Sequence, residues 1–209
     1  MALSKKKRNR KSKKENKFFR HRFLLIGLGL IFLALLIPIL IFFPVVKAEI
    51  SYYFRQKDQV TVETQPIDPD FSIIIPKINA NAKIIKDVDP FNSQIYQLAL
   101  SRGVAHAKGT ALPGQNGNTF IFAHSAGNWY HANQFNAIFY LINKLKIGDE
   151  IILYHQSQKY IYSVQGIKII SSDEISYLNN QTKEKQLTLM TCWPPGTTLK
   201  RYIVIAKQL

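Results

Sequence analysis

Thr188-Leu189-Met190-Thr191-Cys192-Trp193-Pro194-Pro195-Gly196 is the stretch whose reading decides the fold. Residues 187–192 read as a short, largely apolar strand. Two prolines and a glycine turn the chain, and residues 202–206 bring it back as a second strand. The first strand ends in Cys192, the only cysteine of the chain. A buried cysteine is ordinarily an inert small hydrophobe. In an oxidising compartment a lone thiol is a liability unless its reactivity is used.

Outward from this hairpin the same grammar repeats. Phe71-Ser72-Ile73-Ile74-Ile75 is an apolar run closed by Pro76, and Ile78 with Ile84-Ile85 marks a second short strand. Asp89-Pro90 reads as an N-cap and first helical position. Ile95, Leu98 and Ala99 follow at helical spacing, and Gly103 ends the run. Residues 119–123 are a compact buried-strand run. Phe135, Ile138, Phe139, Ile142 and Leu145 repeat at three and four, which predicts a packed helix. Gly148-Asp149 turns into a strand over 150–154, whose hairpin partner alternates at Tyr160, Tyr162 and Val164. Many short strands with two helices predict a mainly β domain closed into a barrel.

Charge is concentrated ahead of that domain. Of the 28 Lys and Arg in 209 residues, eleven lie within residues 1–22, against Glu15 alone. A basic arm of this kind suits nucleic acid. Here it runs directly into residues 23–46, which carry no charge and are long enough to cross a bilayer core of about 30 Å. Anionic lipid is therefore the better partner, and no nucleic acid is expected. A cleaved signal peptide is the competing reading. Its apolar region is only about 7–15 residues long, so an uncleaved anchor is favoured. The expected organisation is a basic cytoplasmic tail at 1–22, a transmembrane helix at 23–46, a juxtamembrane linker at 47–70 and a catalytic domain at 71–209. The positive-inside rule places that domain outside the cell membrane.

A cysteine nucleophile needs an acid/base and a donor for the oxyanion. His124 follows the run 119–123, so two strand ends are able to bring it to Cys192. Arg201 opens the strand after the turn, nine residues beyond Cys192. By residue type alone each has a plainer reading, since there are five histidines and 28 basic residues.

Thr188-Leu189-Met190-Thr191-Cys192 resembles the TLxTC signature of sortases, the membrane-anchored cysteine transpeptidases of bacterial envelopes. Three further stretches resemble the segment leading to that family's catalytic histidine. They are Arg102-Gly103-Val104-Ala105-His106, Gly109-Thr110-Ala111-Leu112-Pro113-Gly114 and Gly117-Asn118-Thr119-Phe120-Ile121-Phe122-Ala123-His124. Ile75-Pro76-Lys77-Ile78 is similar to its opening strand, and Gly148-Asp149-Glu150-Ile151 to its mid-domain turn. The resemblance implies an eight-stranded β-barrel with two or three short helices. It implies Cys192 as nucleophile, His124 as general acid/base and Arg201 as oxyanion donor. Thr191 and Ala107 are implied to line the substrate groove. Trp193, next to the thiol, either shields the sulfur or packs on the loop prolines.

The sequence departs from the family pattern at Ala123, where glycine is usual. Around 108–115 it lacks the acidic residues that bind calcium in some members, so neither metal nor cofactor is expected. Asp89-Pro90-Phe91 resembles the lid of pilus-building sortases, but it follows the opening strand instead of preceding it, so the helix-cap reading is preferred. The short stretch from Cys192 to Arg201 resembles pilus-type and related sortases. The implied substrates are secreted proteins bearing a C-terminal LPxTG-like sorting motif, and the acceptor is an amine of the cell wall or of a pilin. Two rival functions use the same chain. One is a membrane-anchored cysteine peptidase or amidase with water as acceptor, and the other is a non-enzymatic envelope-binding β-domain.

Overall fold

The computed structural model describes residues 23–36, 39, 46, 49–50, 53, 65–125, 138–178 and 182–209. The chain divides into two compact units, Met1–Phe43 and Pro44–Leu209. In the first, residues 23–36 are helical, and every large apolar side chain from Phe23 to Leu35 is at least half exposed. The expected tail lies outside the described residues, as do most of the linker and much of the second half of the expected span. Among the described residues no helix is long and apolar enough to cross a membrane.

The second unit is built on eight strands: β1 (Phe71–Ile75), β2 (Ala80–Val88), β3 (Val104–Ala107), β4 (Gly117–Phe122), β5 (Glu150–His155), β6 (Gln158–Ser171), β7 (Lys185–Trp193) and β8 (Lys200–Gln208). They close in the order β1-β2-β3-β4-β7-β8-β6-β5, which leaves no unpaired edge. Alternation sends one face of each strand into the barrel. Ile73 and Ile75 of β1, Leu187 and Leu189 of β7 and Val204 and Ala206 of β8 are all fully buried there. The mainly β barrel expected from the sequence is therefore present.

Two strand pairs are parallel, β2 with β3 and β4 with β7. Parallel neighbours need a crossover. For the first pair it is the helix Ser93–Leu100, which packs on β2 and β3. Gly103 follows it, and a Cβ there would fall on the Lys83 carbonyl of β2. Two 3-10 turns, Pro76–Ile78 and Tyr140–Lys144, connect other strands of the barrel.

Several sequence expectations are corrected here. The cap of the helix is Asn92, whose Oδ1 accepts from Ile95 N–H at 3.2 Å. Asp89 instead accepts from Phe91 N–H at 2.9 Å, closing a local turn. An Asp two residues ahead of a backbone donor satisfies a turn as well as it satisfies a helix. The buried face is Ala99 and Leu100, with Tyr96 packed on the core, while Ile95 and Leu98 are about half exposed. Residues 135–137 of the helix expected around 135–145 lie outside the described residues. The described part is the 3-10 turn, which buries Phe139, Leu141, Ile142 and Leu145.

Candidate active site

β4 and β7 run side by side in the same direction, with Phe122 opposite Met190. The ladder extends one residue further, because Ala123 N–H donates to the Met190 carbonyl at 3.1 Å. His124 lies two residues beyond Phe122 and Cys192 two beyond Met190, so both stand at the same height on neighbouring strands. On the other flank β8 is antiparallel to β7, and Cys192 is directly opposite Arg201. Opposed residues project to one face with Cβ atoms about 4.5–5.5 Å apart. The register thus puts the Cys192 thiol and the Arg201 guanidinium on one face at one end of the barrel, with His124 just past the end of the neighbouring strand. Arg201 is in turn opposite Ile170 of β6, which gives the group an apolar flank.

The register is pinned by a side chain just beneath the site. Thr191 is 2% exposed, and its hydroxyl donates to the Ala123 carbonyl at 2.9 Å. The link joins the residue before Cys192 to the residue before His124. Thr191 therefore spends its hydroxyl on holding the two strand ends together, inside the barrel. Trp193, one residue past the thiol, alternates to the same inner side, with its ring 5.2 Å from that of Tyr202. Its packing partner is this core tyrosine. Ala107 is fully buried at the end of β3, one step beyond the pairing of His106 with Ile121. That level is far down β4 from His124, so the structure does not bring Ala107 to the thiol.

The connection between β7 and β8 returns Arg201 tightly. Thr197 N–H and its hydroxyl both donate to the Pro194 carbonyl, at 3.0 and 2.8 Å. Gly196 sits at φ 79°, where a side chain is disfavoured. Arg201 Nη1 donates to the carbonyls of Thr198 and Lys200, both at 3.1 Å. The turn is thus hooked to the guanidinium, whose fork carries three further N–H groups.

Cys192 is an unpaired, half-buried thiol. Burial penalises the charged form of His124 and lowers its pKa below the usual 6.5. The imidazole is then neutral at pH 7 and able to take a proton from a neighbouring thiol. Trp129, Tyr130 and His131 lie outside the described residues.

Two other histidines share that direction. His106 and His155 are also lowered, in both cases chiefly by burial. His106 is fully buried: its Nε2 faces the Ala111 carbonyl at 3.2 Å and the Thr110 hydroxyl at 3.0 Å, and its Nδ1 accepts from Asp87 N–H at 3.4 Å. Unfolding raises all three pKa values toward 6.5, so the unfolded chain binds more protons as pH falls through that value. Stability is therefore full above about pH 6.5 and lost on acidification toward the folded-state pKa values. We expect the urea midpoint to fall between pH 7.5 and pH 5.5. That window lies above the titration of Asp68, Asp173 and Glu174, which are held below their ordinary 3.8, 3.8 and 4.5 by hydrogen bonds. A midpoint flat across it would show that the histidines are not buried as described.

Comparison with known proteins bears on the same segment. The family model for the Sortase domain matches residues 73–209. Sortase D of Bacillus subtilis (strain 168) is 28% identical over 138 residues, covering 65% of this chain and 61% of that protein. Sortase A of Listeria monocytogenes serovar 1/2a is 29% identical over 136 residues, covering 65% of this chain and 54% of its own length. Among solved structures, Sortase C1 of GBS Pilus Island 1 superposes with a TM-score of 0.56 at 28% identity, covering 66% of this chain and 63% of that one. Sortase A from Corynebacterium diphtheriae gives 0.56 at 27%, covering 67% and 60%. The chain therefore spans somewhat more than half the length of these relatives.

Proposed function

Because the chain belongs to the sortase family, we propose that it is a membrane-anchored cysteine transpeptidase that cleaves an LPxTG-like sorting motif and joins the acyl group to an amine. The observation that carries this reading is the opposition of Cys192 and Arg201 across β7 and β8, with His124 at the same height on β4.

The steps follow from the chemistry of the three groups. Neutral His124 takes the thiol proton as the Cys192 sulfur attacks the carbonyl carbon of the motif's Thr–Gly bond. Arg201 donates hydrogen bonds to the oxygen as it gains negative charge. The tetrahedral species collapses, the C–N bond breaks, and the imidazolium returns its proton to the departing amine. A thioester on Cys192 remains. An amino group of a cell-wall precursor or a pilin lysine attacks it, His124 accepts that proton, and the thiolate leaves to be reprotonated. Trp193 is proposed to border the sulfur on its inner side. Thr191 acts through the Ala123 carbonyl, and Ala107 is proposed to keep the β3 side of the groove narrow.

Residues 1–22, 23–46, 47–70 and 71–209 are proposed as tail, anchor, linker and catalytic domain. Support comes from a helix that is apolar on every side over 23–36, the pattern of a lipid-embedded segment. The eleven basic residues ahead of it favour a cytoplasmic N-terminus. This places the thiol outside, with secreted substrates.

The test is product analysis. Full-length protein is given a fluorescent sorting-motif peptide with and without an added amine. The proposal requires an amine-linked product that grows with amine concentration at the expense of the free acid. Free acid alone at every amine concentration would identify a hydrolase, and no cleavage at all would leave the envelope-binding reading in its place.

A further inference from the structure

β6 ends near Arg201, and β7 begins at the opposite end of the barrel. Of the residues between them, 172–178 and 182–184 are described, and Tyr177 lies against the outside of the sheet. One buried side chain fixes it there. Asn118, on β4, is 4% exposed. Its Nδ2 donates to the Tyr177 carbonyl of the crossing segment at 3.0 Å. Its Oδ1 accepts from the Thr188 hydroxyl at 2.8 Å and from Gln186 Nε2 at 3.2 Å, both on β7. One amide therefore joins β4, β7 and the segment that precedes β7. Its two ends have separate duties: oxygen to the strand, nitrogen to the crossing segment.

From Cys192 back to Thr188 the outer face of β7 runs four residues, about 13 Å of strand. On that face Met190 is half-buried, whereas Thr188 and Phe120 are buried next to the Tyr177 crossing, so an extended peptide laid from the thiol reaches covered sheet within four residues. Across the sheet, the Lys168 ammonium lies 5.6 Å from the Tyr177 ring, holding the other side of the segment. Beyond it, Gly117, Asn118, Leu178 and Thr182 border an open cavity of ≈ 710 Å³.

We propose that Asn118 is a positioning residue for substrate binding: it latches the Tyr177 carbonyl and so fixes the far wall of the groove that holds the residues preceding the scissile bond. The inference rests on the transpeptidase reading, but the latch itself has a readout independent of activity. In Asn118→Asp the oxygens that accept from Thr188 and Gln186 remain, while the donor to Tyr177 is replaced by an acceptor. In Thr188→Val the strand link is weakened and the donor to Tyr177 is kept.

Hydrogen exchange of the full chain is measured first, at the Leu178 amide, which is protected by the Ile175 carbonyl at 3.0 Å. Asn118→Asp is expected to speed that exchange about tenfold, the effect of losing one hydrogen bond. Thr188→Val is expected to leave it near wild type. With the sorting-motif peptide, Asn118→Asp is expected to raise KM about tenfold at nearly unchanged kcat. The alkylation rate of Cys192 should not change. Unchanged exchange in Asn118→Asp removes the latch, whatever the wild-type activity. Faster exchange with unchanged KM removes its role in binding. Equal effects of the two variants on exchange and KM, or loss of the folded far-UV signal in Asn118→Asp alone, would make Asn118 a structural link between strands. Wild-type protein that does not turn the peptide over contradicts the functional reading, and exchange still decides the latch.

Discussion

Cys192→Ala is expected to yield neither a peptide adduct nor any transferred product, with the barrel intact. The chain has no second thiol to substitute. The change removes one heavy atom from a half-buried position at a strand end, so its effect on stability should be about 1 kcal/mol or less. The loss is therefore chemical and not structural. Far-UV circular dichroism and thermal melting report the fold, and chromatography of the labelled peptide reports turnover. Residual transfer above the uncatalysed rate would remove Cys192 from the mechanism and would return it to the class of inert, half-buried cysteines.

Arg201→Lys should be nearly as damaging although it preserves charge. Losing one oxyanion donor typically lowers rate by about 10²–10³. The structure adds a reason why lysine is a poor replacement. Arg201 Nη1 is already committed to the Thr198 and Lys200 carbonyls at 3.1 Å, which leaves the rest of the rigid fork to act elsewhere. A lysine ammonium is a single mobile point charge and cannot hook the turn and serve a second acceptor at fixed geometry. kcat should fall by about two to three orders of magnitude with a near-normal melting curve. Near-wild-type kcat would reduce Arg201 to a residue that shapes the turn between β7 and β8.

The parts of the fold that were legible in the sequence are those with a local cause. β1 was readable residue by residue, because five apolar-rich positions end at a proline. The core-facing alternation of Tyr160, Tyr162 and Val164 was also readable, but β6 continues to Ser171, well past the strand expected there. Its register with β8 shifts between Val164 and Gly166, so the parity changes after the bulge and Ile167, opposite Val204, packs on the core. An alternation pattern that changes phase looks like the end of a strand. The helix start failed for a different reason. Asp89-Pro90 and Asn92 are both good local caps, and the choice depends on β2 persisting to Val88, which is a long-range pairing.

At the site, Cys192, His124 and Arg201 were expected together from strand ends and from a family resemblance; the register sets Cys192 opposite Arg201, and His124 follows the end of β4. What the sequence did not reveal is how that register is held. Thr191 donating to the Ala123 carbonyl joins residues 68 positions apart. Asn118 joins Tyr177, Gln186 and Thr188 across 59 to 70 positions. Both residues were quoted as parts of motifs, yet hydrogen bonds between distant strands leave no periodic trace. Trp193 had two readings by its place beside the thiol, and only the closed barrel shows that its ring meets Tyr202.

The central claim is that acyl transfer passes through a thioester on Cys192. Its most direct measurement is intact mass of the full-length protein, mixed with a sorting-motif peptide and quenched in acid within one turnover. The expected result is a mass gain equal to the acyl fragment ending in the motif's threonine, mapped to Cys192 and discharged faster as an added amine is increased. Cleavage of the peptide with no acyl adduct on Cys192 at any time, at a turnover slow enough for it to accumulate, would contradict it.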